Sequence, residues 1–323
     1  MSCISDENLK QLKQSFPRLK FKTGFLLSKI TYFKIGGKAE LLVKVEQRSE
    51  LIDLIKLCRK LDIKFTILGG ASNVIVADEG VAGLVILTRH DEMQELTKTD
   101  QGMIVQVDSG MVTALLVKKT VQLGLTGLEP FVGVPGRLGG AILNNAHYQQ
   151  KLISEYVDQV EVLTASGDII WLTALECEFG YDQSRFQHSQ EIILRVKFKL
   201  PFGDQEKSQA LIKESTLYRI KTQPLNFPSS GCIFKNVVNT DRLNSIFPQF
   251  KDQPLLAAGF LIDQAGLKGA QQGAIQVSDQ HAAFMINTGG GTANDVSQLI
   301  EQVKTTVKAK YGVELQEEVF WVR

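Results

Sequence analysis

The sequence predicts an α+β protein with more than one domain, and three observations support that class. The chain has 323 residues, more than the about 250–300 residues over which a single hydrophobic core usually extends. Apolar residues alternate between helical spacing and the spacing of short strands, so helices and strands are interleaved. The Pro201-Phe202-Gly203-Asp204 stretch interrupts this pattern and marks a domain boundary.

Charge and composition exclude several classes of function. The chain carries 36 basic and 35 acidic residues, a formal net charge of +1, and it has no basic stripe, so neither nucleic acid nor a membrane surface is expected as a partner. Residues 1–22 lack the apolar core of a signal peptide, and no later stretch reaches the about 18 apolar residues of a membrane span. We therefore expect a cytoplasmic protein.

The cysteines and histidines are scattered along the chain. Neither a disulfide framework nor a metal site is therefore expected. The four cysteines are Cys3, Cys58, Cys177 and Cys232.

In the first two hundred residues, turn residues and apolar spacing define each predicted element. Ser49 is the expected N-cap of the first helix, and the turn at 165–168 joins a hairpin. The predicted elements are strands at 41–45, 65–68, 74–76, 84–87, 103–107 and 192–200, helices at 49–61 and 112–123, and a hairpin of 160–164 with 169–172.

The remaining residues show the same mixture of helix and strand patterns. The predicted elements are a helix at 205–222, a short helix within 257–269 that ends at a glycine, strands at 274–277 and 283–286, a helix at 293–311, and a final strand over the aromatic residues near 320.

Two glycine-rich segments are candidates for cofactor binding. The first, Gly69-Gly70-Ala71-Ser72-Asn73, directly follows a strand, and backbone amides beside Ser and Asn can cradle phosphate oxygens. An ordinary tight turn explains it equally well. The second, residues 133–146, places four glycines among large aliphatic residues, which favours a loop packed against a flat ligand over a flexible surface loop. It contains no G-x-G-x-x-G pattern, which argues against a Rossmann site.

A cysteine and a pair of carboxylates are candidates for chemistry. Cys232 lies in the segment 228–236, between a glycine and two apolar residues. The ordinary thiol pKa of roughly 8.5 keeps it protonated at neutral pH, so it can act as a general acid. A buried structural cysteine is the alternative. Glu317 and Glu318 precede the final aromatic strand, where a surface position is the alternative to a functional one.

Four segments together resemble the flavin-dependent UDP-N-acetylenolpyruvoylglucosamine reductases of peptidoglycan synthesis, in that family's order and over roughly residues 30–322. The segments are 68–73, 133–146, 231–236 and 258–269. Tyr181, which leads directly to a strand, resembles the shorter, second type of the family.

The resemblance implies a domain arrangement. An FAD-binding domain of the vanillyl-alcohol-oxidase (PCMH) type would occupy residues 31–200, after a lead-in at 1–30. A smaller α/β substrate-binding domain would occupy 205–315, and a terminal strand at 316–323 would carry Glu318.

The resemblance also implies FAD and NADPH as cofactors and the reduction of UDP-N-acetylglucosamine enolpyruvate to UDP-N-acetylmuramate. The protein is expected to be a monomer. NADPH would pass hydride to FAD, which would pass it to C3 of the enolpyruvyl group while an acid protonates C2. Cys232 occupies the position of the family's usual serine donor. Glu318 matches the glutamate that acts with an arginine on the substrate carboxylate.

Further residues are expected to bind the cofactor or the substrate, Arg219 and Lys221 because their charge suits phosphate oxygens and the others through the resemblance. Those expected to contact FAD are Gly69, Gly70, Ala71, Ser72, Asn73, Gly133, Pro135, Gly136, Gly139, Gly140, Asn144 and Ala146. Those expected to contact the substrate are Tyr181, Arg219, Lys221, Lys235, Asn236, Gln264 and Lys268.

One position departs from the family pattern. Where the family usually has Tyr-Arg-x-Ser, this sequence has Tyr181-Asp182-Gln183-Ser184-Arg185, so Asp182 replaces the expected arginine. We predict that Arg185 takes over its role, with Arg137 as the reserve. The alternative is that Arg185 only pairs with Asp182.

Two other functions are compatible with these residues. One is a flavin oxidase of the same FAD-domain superfamily, in which FAD is often tethered through histidine or cysteine. Neither glycine segment contains a thiol, although His147 lies just past the second. The other is a catalytically degenerate protein that binds a UDP-sugar, which only Asp182 supports.

Overall fold

The computed structural model describes residues 4–148 and 150–323, so Cys3 lies outside the described residues. Within these residues the α-helices are α1 (Asp6–Ser15), α2 (Arg48–Lys60), α3 (Thr113–Gln122), α4 (Leu138–Leu143), α5 (Gln205–Thr222), α6 (Asp241–Ile246), α7 (Ala258–Gln264) and α8 (Ala293–Tyr311). The strands are β1 (Lys22–Leu26), β2 (Lys38–Val45), β3 (Phe65–Leu68), β4 (Val74–Val76), β5 (Val81–Thr88), β6 (Met93–Lys98), β7 (Gly102–Asp108), β8 (His147–Tyr148), β9 (Lys151–Leu152), β10 (Val157–Leu163), β11 (Ile169–Thr173), β12 (Ile192–Pro201), β13 (Val237–Val238), β14 (Leu255–Leu256), β15 (Gln271–Gln272), β16 (Ile275–Val277), β17 (Met285–Asn287) and β18 (Phe320–Val322).

The chain forms two compact units, each made of several chain segments. The first unit contains residues 4–25, 40–70 and 82–219 apart from residue 149. The second contains Leu26–Ala39, Ala71–Val81 and Ile220–Arg323. The domains that the resemblance implies are, in contrast, continuous ranges of the chain.

The first unit contains two sheets. The four-stranded sheet has the order β1-β2-β5-β3, with β3 and β5 parallel. The five-stranded sheet has the order β11-β10-β12-β7-β6 and is antiparallel throughout. Helix α2 forms because its apolar residues recur on one face, and that face is buried: Leu51, Ile52, Leu54, Ile55 and Cys58.

The second unit is organised around the long helix α8. Thr292 caps its N-terminus, since its hydroxyl accepts a hydrogen bond from the amide of Asp295 at 3.1 Å. The helix ends at Gly312, whose φ of +73° suits glycine. A three-stranded sheet, β15-β16-β17, and the parallel pair β18-β4 accompany it.

Most of the predicted helices and strands are confirmed to within a few residues, including the helix at 293–311 and the hairpin now seen as β10 and β11. Two predictions are wrong in detail. The first long helix begins at Arg48, so Ser49 lies inside it and Gln47 precedes it without a side-chain cap. Residues 138–143 are helix α4 rather than loop, because a set of their side chains is buried on one face: Leu138, Ala141 and Ile142. No helix among the described residues is long and apolar enough to cross a membrane.

Candidate functional site

The two glycine segments meet backbone to backbone within the first unit. A Cβ atom added to Gly70 would lie 2.4 Å from the Cα of Gly136, closer than any real side chain allows. Gly136 itself has a φ of +109°, which L side chains rarely adopt. Glycine is therefore required at both positions. At Gly140, in contrast, an added Cβ would meet no atom outside the backbone of its own helix within 4 Å, so space is left on that face of α4.

The residues before α3 hold the second glycine segment in place. The amide of Gly139 donates to the carbonyl of Ser109 at 2.7 Å, and the amide of Leu138 donates to that of Met111 at 2.8 Å. The hydroxyl of Ser109 lies 3.2 Å from Nε2 of the buried His90. Burial lowers the pKa of His90 to about 4, so its ring is neutral at pH 7.

Two arginines flank the same glycines. Arg89 donates to the carbonyl of Gly69 at 2.8 Å, and Arg137 donates to the carbonyl of Gly110. Burial, followed by the neighbouring charge of Arg137, lowers the pKa of Arg89 to about 10. Both guanidinium groups remain charged at pH 7 and make this part of the unit electropositive. The NH1 group of Arg137, the reserve candidate for the missing arginine, is the one that donates to the backbone carbonyl of Gly110.

The residues around the second glycine segment fit the FAD that the sequence implies. Buried polar groups normally have partners. Within residues 4–148 and 150–323, however, several such atoms near this segment have no hydrogen-bond partner in the protein: His90 Nδ1, Thr113 Oγ1, Asn144 Oδ1 and Tyr148 Oη. Closely packed glycines, buried polar atoms without a protein partner, and the guanidinium groups of Arg89 and Arg137 suit a flat ring system that carries a diphosphate.

Arg219, on α5, also belongs to this region of the first unit. A Cβ on Gly133 would lie 2.3 Å from its Cδ, and its guanidinium stands 5.3 Å from the ring centroid of Tyr148. The structure therefore places this predicted substrate contact beside the second glycine segment.

The segment that carries Asp182 is fastened to the end of α4. Asn145 donates to the carbonyl of Gly180 at 2.7 Å, and the hydroxyl of Ser184 donates to the carbonyl of Leu143 at 2.6 Å. Gln187 donates to the carbonyl of Asp182 at 3.0 Å. These bonds set the side chains of the segment beside the residues that follow the second glycine segment.

Arg185 and Asp182 have different partners. Nε and NH2 of Arg185 each lie 3.0 Å from a carboxylate oxygen of Glu191, and its NH1 donates to the carbonyl of Glu176 at 2.9 Å. The partner of Arg185 is therefore Glu191 rather than Asp182. Oδ1 of Asp182 lies 3.0 Å from Nδ1 of His147, whose ring centroid is 4.8 Å from that of Tyr181.

Cys232 and Glu318 are brought together in the second unit. The amide of Glu318 donates to the carbonyl of Ile233 at 2.8 Å, and Phe234 forms an antiparallel bridge with Glu317. Cys232, which is partly buried, itself bridges Phe284. The thiol and the carboxylate thus belong to adjacent extended segments, although 85 residues separate them in sequence.

The two neighbouring carboxylates have distinct surroundings. Glu317 forms an ion pair with Lys304 and accepts a hydrogen bond from Trp321 Nε1 at 2.7 Å, which gives it a structural role. The backbone of Glu318 is held by Asn73, whose side chain donates to its carbonyl at 3.2 Å. Asn73 belongs to the first glycine segment, where Ala71 has a φ of +53°.

The other predicted substrate contacts of the second unit have several different partners, and only some of them lie at α7. The side chain of Asn236 accepts a hydrogen bond from the amide of Ala258 at 3.2 Å, at the start of that helix. Lys268 pairs with Asp263 at 2.8 Å, while Gln264 is exposed. The amide of Lys235 donates to Gln316 at 2.9 Å. Lys221 is exposed, and its carbonyl accepts a hydrogen bond from the side chain of Gln280.

Two histidines are not among the site residues predicted from the sequence. His281 packs on Phe284, with ring centroids 4.9 Å apart, and its Nδ1 accepts from the amide of Ala283 at 3.3 Å. Burial, with the charge of Lys268 as a smaller cause, lowers the pKa of His281. The sequence indicates His147 only as a possible attachment point for flavin. The partners of His281 are two and three residues away in sequence, whereas the partners of His147 come from a distant segment that its neighbours in sequence do not indicate.

Comparison with known families defines the class of protein. A family described as "FAD binding domain" matches residues 39–173. A second, described as "UDP-N-acetylenolpyruvoylglucosamine reductase, C-terminal domain", matches residues 223–322. Together with the glycine cradle, these matches identify a flavin-dependent oxidoreductase. The prediction that FAD is a cofactor is confirmed.

Named relatives extend over nearly the whole chain. The UDP-N-acetylenolpyruvoylglucosamine reductase of Pediococcus pentosaceus is 38% identical and covers 96% of this chain and 97% of its own. That of Chlamydia felis is 36% identical, covering 92% and 93%. A crystal structure of the Thermus caldophilus reductase superposes with a TM-score of 0.72 at 30% identity, covering 95% of this chain and 99% of that one. The chain belongs to the UDP-N-acetylenolpyruvoylglucosamine reductase family. The predicted fold class, an FAD-binding domain with a second domain, is also confirmed.

Proposed function

We propose that this protein reduces UDP-N-acetylglucosamine enolpyruvate to UDP-N-acetylmuramate with NADPH, with Cys232 as the proton donor. The observation that carries the proposal is the pairing of the Cys232 segment with that of Glu318 within one unit. Paired segments that carry a thiol and a carboxylate, and that are fixed by backbone hydrogen bonds, are a suitable arrangement for protonating a carbon next to a carboxylate group.

The reaction is balanced by one NADPH and one proton. The chemistry that FAD supplies when bound is the transfer of a hydride equivalent from NADPH to C3 of the enolpyruvyl group. The carbon–carbon double bond becomes single. The S–H bond of Cys232 breaks as a C–H bond forms at C2, and the thiolate then takes a proton from solvent.

The protein residues orient the substrate and stabilise its charge. We propose that Glu318 acts on the enolpyruvyl carboxylate together with a positively charged group, for which Arg185 is the candidate predicted from sequence. Contacts to the sugar and diphosphate are proposed for Tyr181, Arg219, Lys221, Lys235, Asn236, Gln264 and Lys268. Ammonium and guanidinium groups in this set suit phosphate oxygens.

The FAD contacts are proposed for the residues of both glycine segments. The close approach of Gly70 and Gly136 supports a backbone cradle, and the vacant Oδ1 of Asn144 supports a polar contact. The remaining members of this set are Gly69, Ala71, Ser72, Asn73, Gly133, Pro135, Gly139, Gly140 and Ala146.

Absorbance spectroscopy tests the function directly. The purified protein is expected to show flavin absorbance that bleaches with NADPH and recovers when the enolpyruvyl sugar is added without oxygen. Bleaching without recovery would exclude this substrate. Oxygen consumption with a hydroxy acid or alcohol in the absence of NADPH would instead identify a flavin oxidase, and a colourless protein that binds the UDP-sugar would identify a degenerate one.

Cys232→Ala tests the proton donor. We expect bleaching by NADPH at the wild-type rate and recovery slowed by about 10²–10⁴-fold, since this is the typical contribution of one positioned acid. Cys232→Ser, which restores the family's usual hydroxyl, is the matched control and should recover faster than the alanine variant. Equal recovery rates in the wild type and Cys232→Ala would reduce Cys232 to a structural residue.

We further propose that the protein works as a cytoplasmic monomer in the synthesis of peptidoglycan precursors, and so contributes to cell-wall formation, cell shape and division. The nucleotide-linked substrate and NADPH support this setting. Light scattering at micromolar concentration is expected to give the mass of one chain. A mass of two chains would contradict the monomer.

A further inference from the structure

Two neighbouring strands of the four-stranded sheet end at the same edge, within the first unit. β3 and β5 run parallel, with Leu68 beside Leu87. Gly69, which opens the first glycine segment, directly follows β3, and Arg89 directly follows β5. Ligands of open parallel sheets usually bind outside the carboxyl ends of the strands. This edge is therefore a suitable place for part of the cofactor.

The guanidinium group of Arg89 is held in place by one of its nitrogens. NH1 donates to the carbonyl of Gly69 at 2.8 Å and to that of Thr88 at 2.6 Å. Among residues 4–148 and 150–323, Nε and NH2 of Arg89 make no hydrogen bond, and no acidic side chain forms an ion pair with it. The guanidinium group is a planar fork whose N–H donors suit phosphate oxygens. Arg89 thus combines a fixed orientation with donors that remain for a ligand.

A second positive charge acts on Arg89. A Cβ atom added to Gly69 would lie 3.4 Å from the Cβ of Arg137. After burial, the charge of Arg137 is the next cause that lowers the pKa of Arg89 to about 10. Arg89 still carries its charge at pH 7, although it is partly buried. Like charges that are partly buried repel each other, so an anion at this edge would stabilise both.

The anion follows from the chemistry of the cofactor. The FAD-binding family match covers residues 39–173, which include Gly69, Arg89 and Arg137. The ring system and the adenosine of oxidised FAD are neutral at pH 7, whereas its diphosphate is negatively charged. We propose that Arg89 binds the diphosphate of FAD through Nε and NH2, and that the charge of Arg137 adds to the attraction.

This inference adds a cofactor-binding residue that lies outside both glycine segments. It rests on the part of the proposed function that gives the FAD contacts to those segments, and not on the proposed substrate or proton donor.

Three variants separate the charge of Arg89 from its backbone contacts. In Arg89→Gln the amide nitrogen can still donate to the carbonyl of Gly69, but the positive charge is lost. Arg89→Lys keeps the charge and loses the planar fork. Arg59→Gln is the matched control, because Arg59 is also partly buried in the first unit and donates to the backbone carbonyls of Thr164 and Gln190. It removes the same charge away from the glycine segments.

Titration of the flavin-free, full-length protein with FAD measures the contact, with quenching of flavin fluorescence as the readout. Circular dichroism first checks that each variant is folded. We expect Arg89→Gln to bind FAD about 10–100-fold more weakly than wild type, the usual effect of losing a hydrogen bond to a charged group. Arg89→Lys should be intermediate, and Arg59→Gln should stay within about threefold of wild type.

Salt dependence distinguishes a charge contact from a structural role. Between about 0.02 M and about 0.5 M sodium chloride, screening of charges increases strongly, so FAD binding by wild type should weaken. In Arg89→Gln it should weaken by a smaller factor, because one of the positive charges is gone. If Arg89 only holds the carbonyl of Gly69, Arg89→Gln would lower the affinity and leave the salt dependence as it is in wild type.

Several results would overturn the inference. These are FAD affinity of Arg89→Gln within about threefold of wild type, an equal loss in Arg59→Gln, or a salt dependence that Arg89→Gln does not change. If Arg89→Gln fails to fold, wild-type affinity that is the same at both salt concentrations, or normal affinity in Arg89→Lys, would have the same consequence. A folded wild type that binds no FAD would refute the proposed FAD contacts together with this inference. FAD that binds and bleaches but does not recover with the enolpyruvyl sugar would refute only the proposed reaction.

Discussion

The contact between Gly70 and Gly136 makes a quantitative prediction about stability. In Gly70→Ala the new Cβ would lie 2.4 Å from the Cα of Gly136, more than about 1 Å short of the ordinary carbon–carbon separation of about 3.5–4.0 Å. The neighbouring atoms are backbone, so relief requires two chain segments to move apart. Overpacking of this kind typically costs about 1–3 kcal/mol. We expect a loss of that size or larger.

The assay compares Gly70→Ala with Gly140→Ala, both stripped of flavin. Thermal and urea unfolding, followed by circular dichroism, should show Gly70→Ala destabilised. Gly140→Ala should be unchanged or more stable by up to about 1 kcal/mol, since its Cβ meets no atom outside the backbone of its own helix within 4 Å and alanine favours helix. Titration with FAD should then show weaker binding by both variants. Equal stability of apo Gly70→Ala and wild type would refute the packing argument, and unchanged FAD affinity of Gly140→Ala would refute the proposal that its open face receives the cofactor.

Two further predictions concern titratable groups. Burial raises the pKa of Asp108 to about 6, so its contribution to stability is fully present below the unfolded value near 3.8 and is lost as pH rises to about 6. Asp108→Asn should therefore stabilise the protein at pH 7.5, by up to about 3 kcal/mol, with no gain at pH 3.5. A gain that is equal at both pH values, measured by thermal unfolding, would contradict this. Burial also raises the pKa of both Cys58 and Cys177 to about 12, so iodoacetamide at pH 8 should modify the partly buried Cys232 before either of them in native protein. Peptide mass mapping checks the order, and labelling of Cys58 first would contradict it.

The sequence alone was sufficient for the helices, most strands and the family. The helix at 293–311 could be predicted because each of its capping hydrogen bonds joins residues three or four positions apart, and its apolar face repeats at the same spacing. The second glycine segment could be found because glycines among large aliphatic residues favour a loop packed against a flat ligand. The residues of the first segment alone fit a tight turn equally well. The short helix α4 could not, since four glycines nearby conceal the few buried side chains that stabilise it.

The tertiary structure decided which residues act as partners. Glu317 and Glu318 are adjacent residues of the same type. Only the packing of the chain shows that Glu317 forms an ion pair with Lys304 and accepts a hydrogen bond from Trp321. Asp182 was recognised from sequence as a departure, but its partner His147 lies 35 residues earlier in the chain and has no local signal. Secondary structure follows from interactions a few residues apart, which a sequence shows directly. The pairs that hold charge and move protons are formed by chain segments far apart in sequence, and only folding brings them within hydrogen-bond distance.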